Sequence, residues 1–331
     1  MTVDPKTSGQ PNAGTQAAQE SVNGQKNSAP VEVSAAVPCP ICDATSGCQT
    51  AANGSVACLN FNDGRSVTIG KLDGLPYFVY KNAEVKAKRE QRLIQKIEQA
   101  LAVLIEPGSV VELRVPKAKT SSWPRPHTES GYFDSDHLKT MAQYALKYTG
   151  GAPGVYFTLN PVKPELLARR CNRAESADTT TNDNQIVTRR WLLLDIDPVR
   201  DAGISATDAE KLEASTIASR IREHLRGLDW PEPICSDSGN GYHLLYKIEL
   251  PRDDEKIVER ILKFLAQRFD NDKAKIDQMV FNPARICKIP GTMARKGDST
   301  TDRPHRRCKI LEMPEQLQPV SADLLRSLAG Q

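Results

Sequence analysis

Two aspartates separated by one residue close an apolar run in Trp191-Leu-Leu-Leu-Asp195-Ile-Asp197-Pro198. If Trp191 to Asp197 is a strand, side-chain alternation puts both carboxylates on one face, where they can converge on hard divalent cations. The same spacing also suits two solvated acids at a strand end, so neighbouring chemistry has to decide. Ser236-Asp-Ser238-Gly-Asn-Gly241-Tyr-His243-Leu-Leu-Tyr246 runs a glycine-rich turn into a strand. Backbone N–H groups of such a turn can hold phosphate, and His243 at the strand entrance can donate to a phosphate oxygen. A lone histidine on a strand is more often a satisfied structural residue, and it is the combination with the glycine-rich turn that strengthens the phosphate reading. A third acid, Asp277, follows Ile276 and precedes another apolar segment and a turn. No Ser/His/Asp triad is assigned to the five histidines.

A second cluster is made of sulfur. Cys39-Pro-Ile-Cys42, then Cys48 and Cys58, put four thiols in one short segment, whereas Cys171, Cys235, Cys287 and Cys308 are scattered. Four soft ligands at this spacing suit tetrahedral zinc, and leave no open position for a catalytic water. The segment is too small to fold by core burial, so coordination would supply the missing free energy. The alternative is a set of ordinary reduced thiols. A third feature is charge: from Arg285 to Lys309 there are eight Lys or Arg against two Asp, although the chain as a whole carries only +3. Gly291, Gly297 and Pro304 break the segment into turns. It reads either as a solvated basic loop or as a phosphate-contacting one, with Arg295, Lys296, Arg303 and Arg306 as the candidate contacts.

The elements that must position these groups are of mixed α and β type. Strands are expected at Val110–Val115, Val155–Leu159, Trp191–Asp197 and Tyr242–Ile248. One helix opens at the capping-box spacing Thr207-Asp208-Ala209-Glu210 and carries Leu212, Ile217, Ile221 and Leu225 toward Gly227. Another covers about 254–269 and buries Val258, Ile261, Leu262, Leu265 and Phe269. A third, from Lys81 to about Ile105, places Leu93, Ile97, Leu101 and Leu104 on one stripe and ends at Pro107-Gly108. The 331 residues are 39% hydrophobic and 26% charged, with no run near the roughly 18 apolar residues of a membrane span. With neither a secretory nor an organelle-import pattern at the N-terminus, a cytoplasmic protein is expected, and the resemblance given below implies a prokaryotic or phage-infected cell. Residues 1–37, rich in Ser, Ala, Gln, Asn, Gly and Pro, read as a disordered tail.

Together the Asp-x-Asp, the glycine-rich turn with its histidine and the later apolar-Asp resemble the three motifs of the archaeo-eukaryotic primase superfamily. Gly154-Val-Tyr-Phe-Thr-Leu-Asn-Pro161, Asp237 to Tyr246, and Arg295-Lys-Gly297 through Arg303-Pro-His-Arg306 are similar to its phage and mobile-element primase-polymerase branch. The cysteine module, ending in Asp73-Gly-Leu-Pro-Tyr-Phe78, resembles the zinc ribbon that precedes such domains. Many members carry Ser two residues before the motif histidine; this chain has Gly241 there.

The resemblance implies an α/β (α+β) primase core with an RRM-like catalytic sheet. The implied division is a tail (1–37), a zinc ribbon (38–80), a linker helix (81–108), a catalytic domain (109–320) and a C-terminal tail (321–331). It implies template-directed nucleotidyl transfer in DNA replication, with Asp195, Asp197 and Asp277 holding two Mg²⁺ or Mn²⁺ ions. Ser238, Gly239, Gly241, His243, Arg295, Lys296, Arg303 and Arg306 would contact nucleotide, and Cys39, Cys42, Cys48 and Cys58 would hold structural Zn²⁺. Implied partners are a single-stranded DNA template and nucleoside triphosphates, with no membrane. Any helicase would be a separate chain, since no Gly-x-x-x-x-Gly-Lys-Ser/Thr occurs. Two rival readings are a non-catalytic replication initiator that binds origin DNA and a metal-dependent nuclease.

Overall fold

The computed structural model of the chain describes residues 31–32, 34, 39, 41, 48–51, 54–58, 67–72, 75–80, 82–119 and 125–331. The expected disordered tail lies almost wholly outside the described residues, and so does Cys42. The chain divides into two compact units, Met1–Lys86 and Ala87–Gln331. The boundary falls inside the first helix. In the first unit, β1 (Val31–Glu32), β2 (Gln49–Thr50), β3 (Val56–Cys58), β4 (Val67–Leu72) and β5 (Leu75–Tyr80) form an antiparallel sheet in the order β1-β2-β3-β5-β4. The β2–β3 turn needs Gly54, whose φ of 79° is one that side chains seldom adopt.

The helix α1 (Asn82–Leu104) supplies Ile97, Leu101 and Leu104 to the core of the second unit, while Leu93 is only half-buried. Two five-stranded antiparallel sheets follow. One is ordered β14-β8-β6-β7-β9, from β6 (Val110–Ala118), β7 (His127–Asp134), β8 (Tyr156–Thr158), β9 (Glu175–Ser176) and β14 (Ile286–Lys288), with α2 (Leu138–Tyr148) against β6 and β7. The other is ordered β13-β10-β12-β11-β17, from β10 (Thr188–Pro198), β11 (Ile234–Asp237), β12 (Tyr242–Pro251), β13 (Ala274–Ile276) and β17 (Lys309–Glu312). Helices α3 (Asp208–Arg226), α4 (Ile257–Phe269) and α5 (Ala322–Ala329) cover it. A small ribbon of β15 (Met293–Ala294) and β16 (Arg306–Arg307) completes an α+β fold.

Strand β10 is buried on both faces, which is why its sequence reads as a continuous apolar run. Leu192, Leu194 and Ile196 alternate with Trp191 and Leu193, all five at 5% exposure or less. The Trp191 indole N–H donates to the Leu104 carbonyl at 3.0 Å and so ties the strand to α1.

Helix α3 starts as its sequence requires, with Thr207 and Glu210 making a reciprocal capping box. Its phase differs from expectation at one position: Leu212 is 67% exposed, while Lys211 is buried beside Ala214, Ile217, Ile221 and Leu225. A buried carboxylate, Asp237, draws Lys211 inward. The expected C-terminal tail also differs. Ala322–Ala329 is a helix capped by Ser321, packed on α4 and β12 with Leu325 and Leu328 buried. Truncating Leu325 to Ala should therefore lower the unfolding free energy by about 2–4 kcal/mol. A urea titration showing a loss under about 0.5 kcal/mol would return this segment to a surface tail.

Candidate active site

The cleft of the second unit is lined by both sheets. Leu193, Asp195, Asp197, Ser238, Asn240 and His243 come from one side, and Tyr156, Ile286, Cys287 and Lys288 from the other, with Lys296 entering from the loop after β15. Asp195 and Asp197 share a face of β10 because Ile196 between them points into the core at 0% exposure. Register brings His243 directly opposite Asp195 across β12, with Nε2 3.4 Å from the Asp195 carboxylate. On the other flank, Ile196 pairs with Ile276, so Asp277 follows opposite Asp195, and its N–H donates to the Asp195 carbonyl at 2.8 Å. The Asp277 carboxylate turns aside, accepts from the Met279 N–H at 2.8 Å, and is not among the groups lining the cleft.

The glycine-rich turn holds its shape through its own donors. The Gly239 N–H donates to the Asp237 carboxylate at 2.7 Å, the Gly241 N–H to the Ser238 hydroxyl at 2.9 Å, and the Ser238 N–H to the Gly241 carbonyl at 3.0 Å. These three N–H groups are therefore engaged within the chain and not free to form the expected backbone cradle for phosphate, while Ser238 and Asn240 line the cleft. Gly241 is required by contact: a Cβ there would overlap the Ile196 carbonyl and the Asp197 carboxylate. That accounts for glycine where the related motif carries serine. The Ser238 hydroxyl instead reaches the turn from three residues earlier. Asn240, which lines the cleft, accepts from the Ala206 N–H at 2.9 Å, while its buried Nδ2 has no hydrogen-bond partner. A buried unpaired donor is costly unless a ligand satisfies it.

Electrostatics divide the two carboxylates. Burial disfavours the charge on Asp195, but His243, Lys288 and Lys296 outweigh it and hold that carboxyl below its ordinary range. Burial and then the neighbouring Asp195 push Asp197 up, against Arg200 and Lys296. Burial would also lower His243, yet the Cys287 sulfur and the Asp195 carboxylate raise it to about 10. Tyr156 is pushed up to about 12 by burial and by Asp195. Two like charges forced together in a buried cleft fit a divalent cation, which removes the penalty that raises Asp197.

Three residues that the sequence did not single out complete the site. Lys288 donates to the Ser238 carbonyl at 2.9 Å, Cys287 Sγ lies 3.6 Å from His243 Nδ1, and Arg200 sits 3.7 Å from Asp197.

The four basic candidates part company. Lys296 lines the cleft, and Arg295 faces a different groove. Arg303 makes a two-pronged pair with Glu210, both arms at 2.8 Å, and Arg306 pairs with Asp208 at 2.6 Å. Both arginines also bond carbonyls of the loop before α3, at Ser205 and Ala206. Beside them Lys211 pairs with Asp237 at 2.6 Å, under the Tyr242 ring, and burial holds its ammonium below its ordinary range. The first turn of α3 thus ties the basic loop and the glycine-rich turn together.

In the first unit, the sulfurs of Cys39, Cys48 and Cys58 lie within 4.8 Å of one another, and all three residues are fully buried. Thiolates about 2.3 Å from a tetrahedral zinc would stand roughly 3.8 Å apart, so the trio fits such an ion. Apart from sulfur, the small core around them holds only Ile41, Val56 and Val85 among the described residues. Among the described residues, no helix is long and apolar enough to cross a membrane.

No family model matches this chain, and no curated protein does. A solved structure titled "Crystal structure of primase RepB'" is similar over 72% of this chain at 11% identity, with a TM-score of 0.42. The match spans 62% of that structure's own length. A likeness of that degree carries no argument about function, which has to rest on the cleft.

Two outcomes follow. Metal analysis of protein purified under reducing, chelator-free conditions should find one zinc per chain, and Cys48→Ser should release it more readily to a chelator. Arg303→Ala should speed hydrogen exchange in the 295–307 loop and the first turn of α3 while leaving α4 protected. Unchanged exchange in the loop would show that the pair with Glu210 does not hold it.

Proposed function

We propose that this chain is a metal-dependent nucleotidyltransferase that makes or extends primers on a nucleic-acid template. The observation that carries the reading is the acid pair of β10 facing its histidine. Asp195 stands opposite His243 in register, with Asp197 on the same face and Lys288 and Lys296 in the same cleft. Acids that attract cations and lysines that attract phosphate are thereby brought within one narrow space. The cleft itself is about 90 Å³, small against the about 300–1,000 Å³ of typical small-molecule sites. This supports entry of the phosphate end of a nucleotide, with sugar and base outside.

Asp195 and Asp197 are the residues that would hold Mg²⁺ or Mn²⁺; Asp277, expected from the sequence as a third ligand, has its carboxylate on the Met279 N–H and outside the cleft lining. A bound cation of this kind supplies Lewis-acid activation of a hydroxyl and stabilisation of charge on phosphoryl oxygens. The chain's own groups do the positioning. His243, kept protonated by Asp195 and Cys287, which face its two ring nitrogens, adds positive charge to the cleft for a phosphate. Lys296 and Lys288 neutralise phosphate charge, and the unpaired Asn240 amide has a hydrogen bond to give. Gly241 keeps the turn flat against Asp197, so that the histidine and the acids face one space. Arg303 and Arg306, proposed from sequence as nucleotide contacts, are better supported as residues that position the loop bearing Lys296. In the first unit, the cysteine trio supports a structural zinc.

Replacing both Asp195 and Asp197 by Asn should cut templated nucleotide incorporation by about 10²-fold or more, with the thermal unfolding midpoint little changed. Oligonucleotide binding should persist, since removing two negative charges lessens repulsion of phosphate. Labelled DNA followed for extension and degradation in the same reactions separates polymerase from nuclease. Wild-type extension by the folded double variant would remove the acids from the chemistry.

A further inference from the structure

A second groove of about 520 Å³ opens beside the cleft, with Lys117, Lys119, Arg295 and His305 at its edges and Pro126, Ala152 and Pro153 among its other walls. We propose that this groove seats the phosphodiester backbone of a single-stranded nucleic acid and leads it to the acidic cleft. The choice of a nucleic acid as the polymer rests on the function proposed above; the groove's preference for a polyanion rests on its own residues.

Charge is the first argument. Among the described residues no carboxylate lines the groove, so the potentials of its cationic side chains add inside a concave surface instead of cancelling. The same basic stretch of chain contains Arg303, Arg306 and Arg307, and all three are bound to acids or carbonyls of the protein. Lys117, Lys119 and Arg295 have no acidic partner among the described residues, which leaves their charge available to a ligand.

Backbone geometry is the second. Lys117 has φ of 55°, a conformation lysine seldom adopts, at the point where the β6–β7 register shifts between Val115 and Ala118. Such bulges re-aim side chains, and both Lys117 and Lys119 emerge exposed on either side of the buried Ala118. Across the groove, the Arg295 N–H donates to the Pro153 carbonyl at 2.8 Å, and the Lys119 N–H to the Gly151 carbonyl at 3.3 Å. The rim is thus fastened to the floor at both edges.

Continuity with the cleft is the third. Arg295 lines the groove while the next residue, Lys296, lines the acidic cleft, so consecutive residues of one loop border the two spaces. A chain of phosphates lying along Arg295 can therefore place its end near Asp195 and Asp197. Proline, alanine and glycine surfaces offer an apolar floor for sugars and unpaired bases, which a duplex would keep hidden. Recognition then rests on phosphate charge with little base preference.

The test uses full-length protein, a fluorescein-labelled oligothymidylate and a KCl series read by fluorescence anisotropy, without nucleotide or divalent metal. Relative to wild type, Lys117→Ala/Lys119→Ala/Arg295→Ala should bind more than tenfold more weakly. Its log–log salt slope should be flatter by about 2, from about 0.7 per lost phosphate contact. The charge-conserving Lys117→Arg/Lys119→Arg/Arg295→Lys variant should restore most of the slope, and Lys263→Ala on α4 should leave it unchanged. A triple variant with wild-type slope, or a blunt duplex bound as tightly as the single strand, would overturn the proposal. Incorporation assays on the same proteins separate the two readings. A flattened slope in the triple variant beside a wild type without incorporation activity would refute the proposed catalysis and leave the groove, whereas an active wild type with an unaltered slope in the variant would refute the groove alone.

Discussion

The antiparallel register of β10 against β12 is the constraint on which the cleft depends, because it sets Asp195 opposite His243. A slip of one residue would turn both acids into the helix-packed core and expose Ile196 and Leu194 in their place. The apolar run before Asp195 prevents this, since its residues are buried on both faces and the Trp191 indole is tied to α1. Register in turn demands Gly241, for the turn between β11 and β12 folds back onto the Ile196 carbonyl and the Asp197 side chain. The acids and the glycine are thus consequences of one geometry.

A second tier of order is electrostatic and gathers at the first turn of α3. Asp208, Glu210 and Lys211 each hold a different partner, namely Arg306, Arg303 and Asp237. The Arg303 and Arg306 pairs lie toward solvent, where such contacts contribute little to global stability but can fix the path of a loop. The Lys211–Asp237 pair is buried; removing either partner would leave a charge uncompensated, so it constrains the glycine-rich turn more tightly. Lys296 and Arg295 are carried on the loop so positioned, which links the helix to both the cleft and the groove without a direct contact from α3 to either.

The first unit solves a different problem. Among the described residues its core is half sulfur, with Cys39, Cys48 and Cys58 beside Ile41, Val56 and Val85. Convergence of three cysteine sulfurs points to coordination as the source of order, with Gly54 supplying the left-handed residue that the β2–β3 turn requires.

Local chemistry in the sequence was sufficient for much of this. Alternation placed Asp195 and Asp197 on one face, the Thr207–Glu210 capping box marked the start of α3, and cysteine spacing marked the soft-ligand cluster. Each depends on contacts within a few residues, so each is visible along the chain. Long-range partners were not. Whether Leu212 or Lys211 faces inward depended on Asp237, twenty-six residues further on. The fate of Arg303 and Arg306 depended on acids more than ninety residues earlier. The availability of the glycine-turn N–H groups depended on how the turn closed on itself. Sequence determined the residue types that can bind metal and phosphate. Tertiary structure decided which charges are spent inside the protein and which are left facing a ligand, because pairing in a folded chain is set by proximity in space.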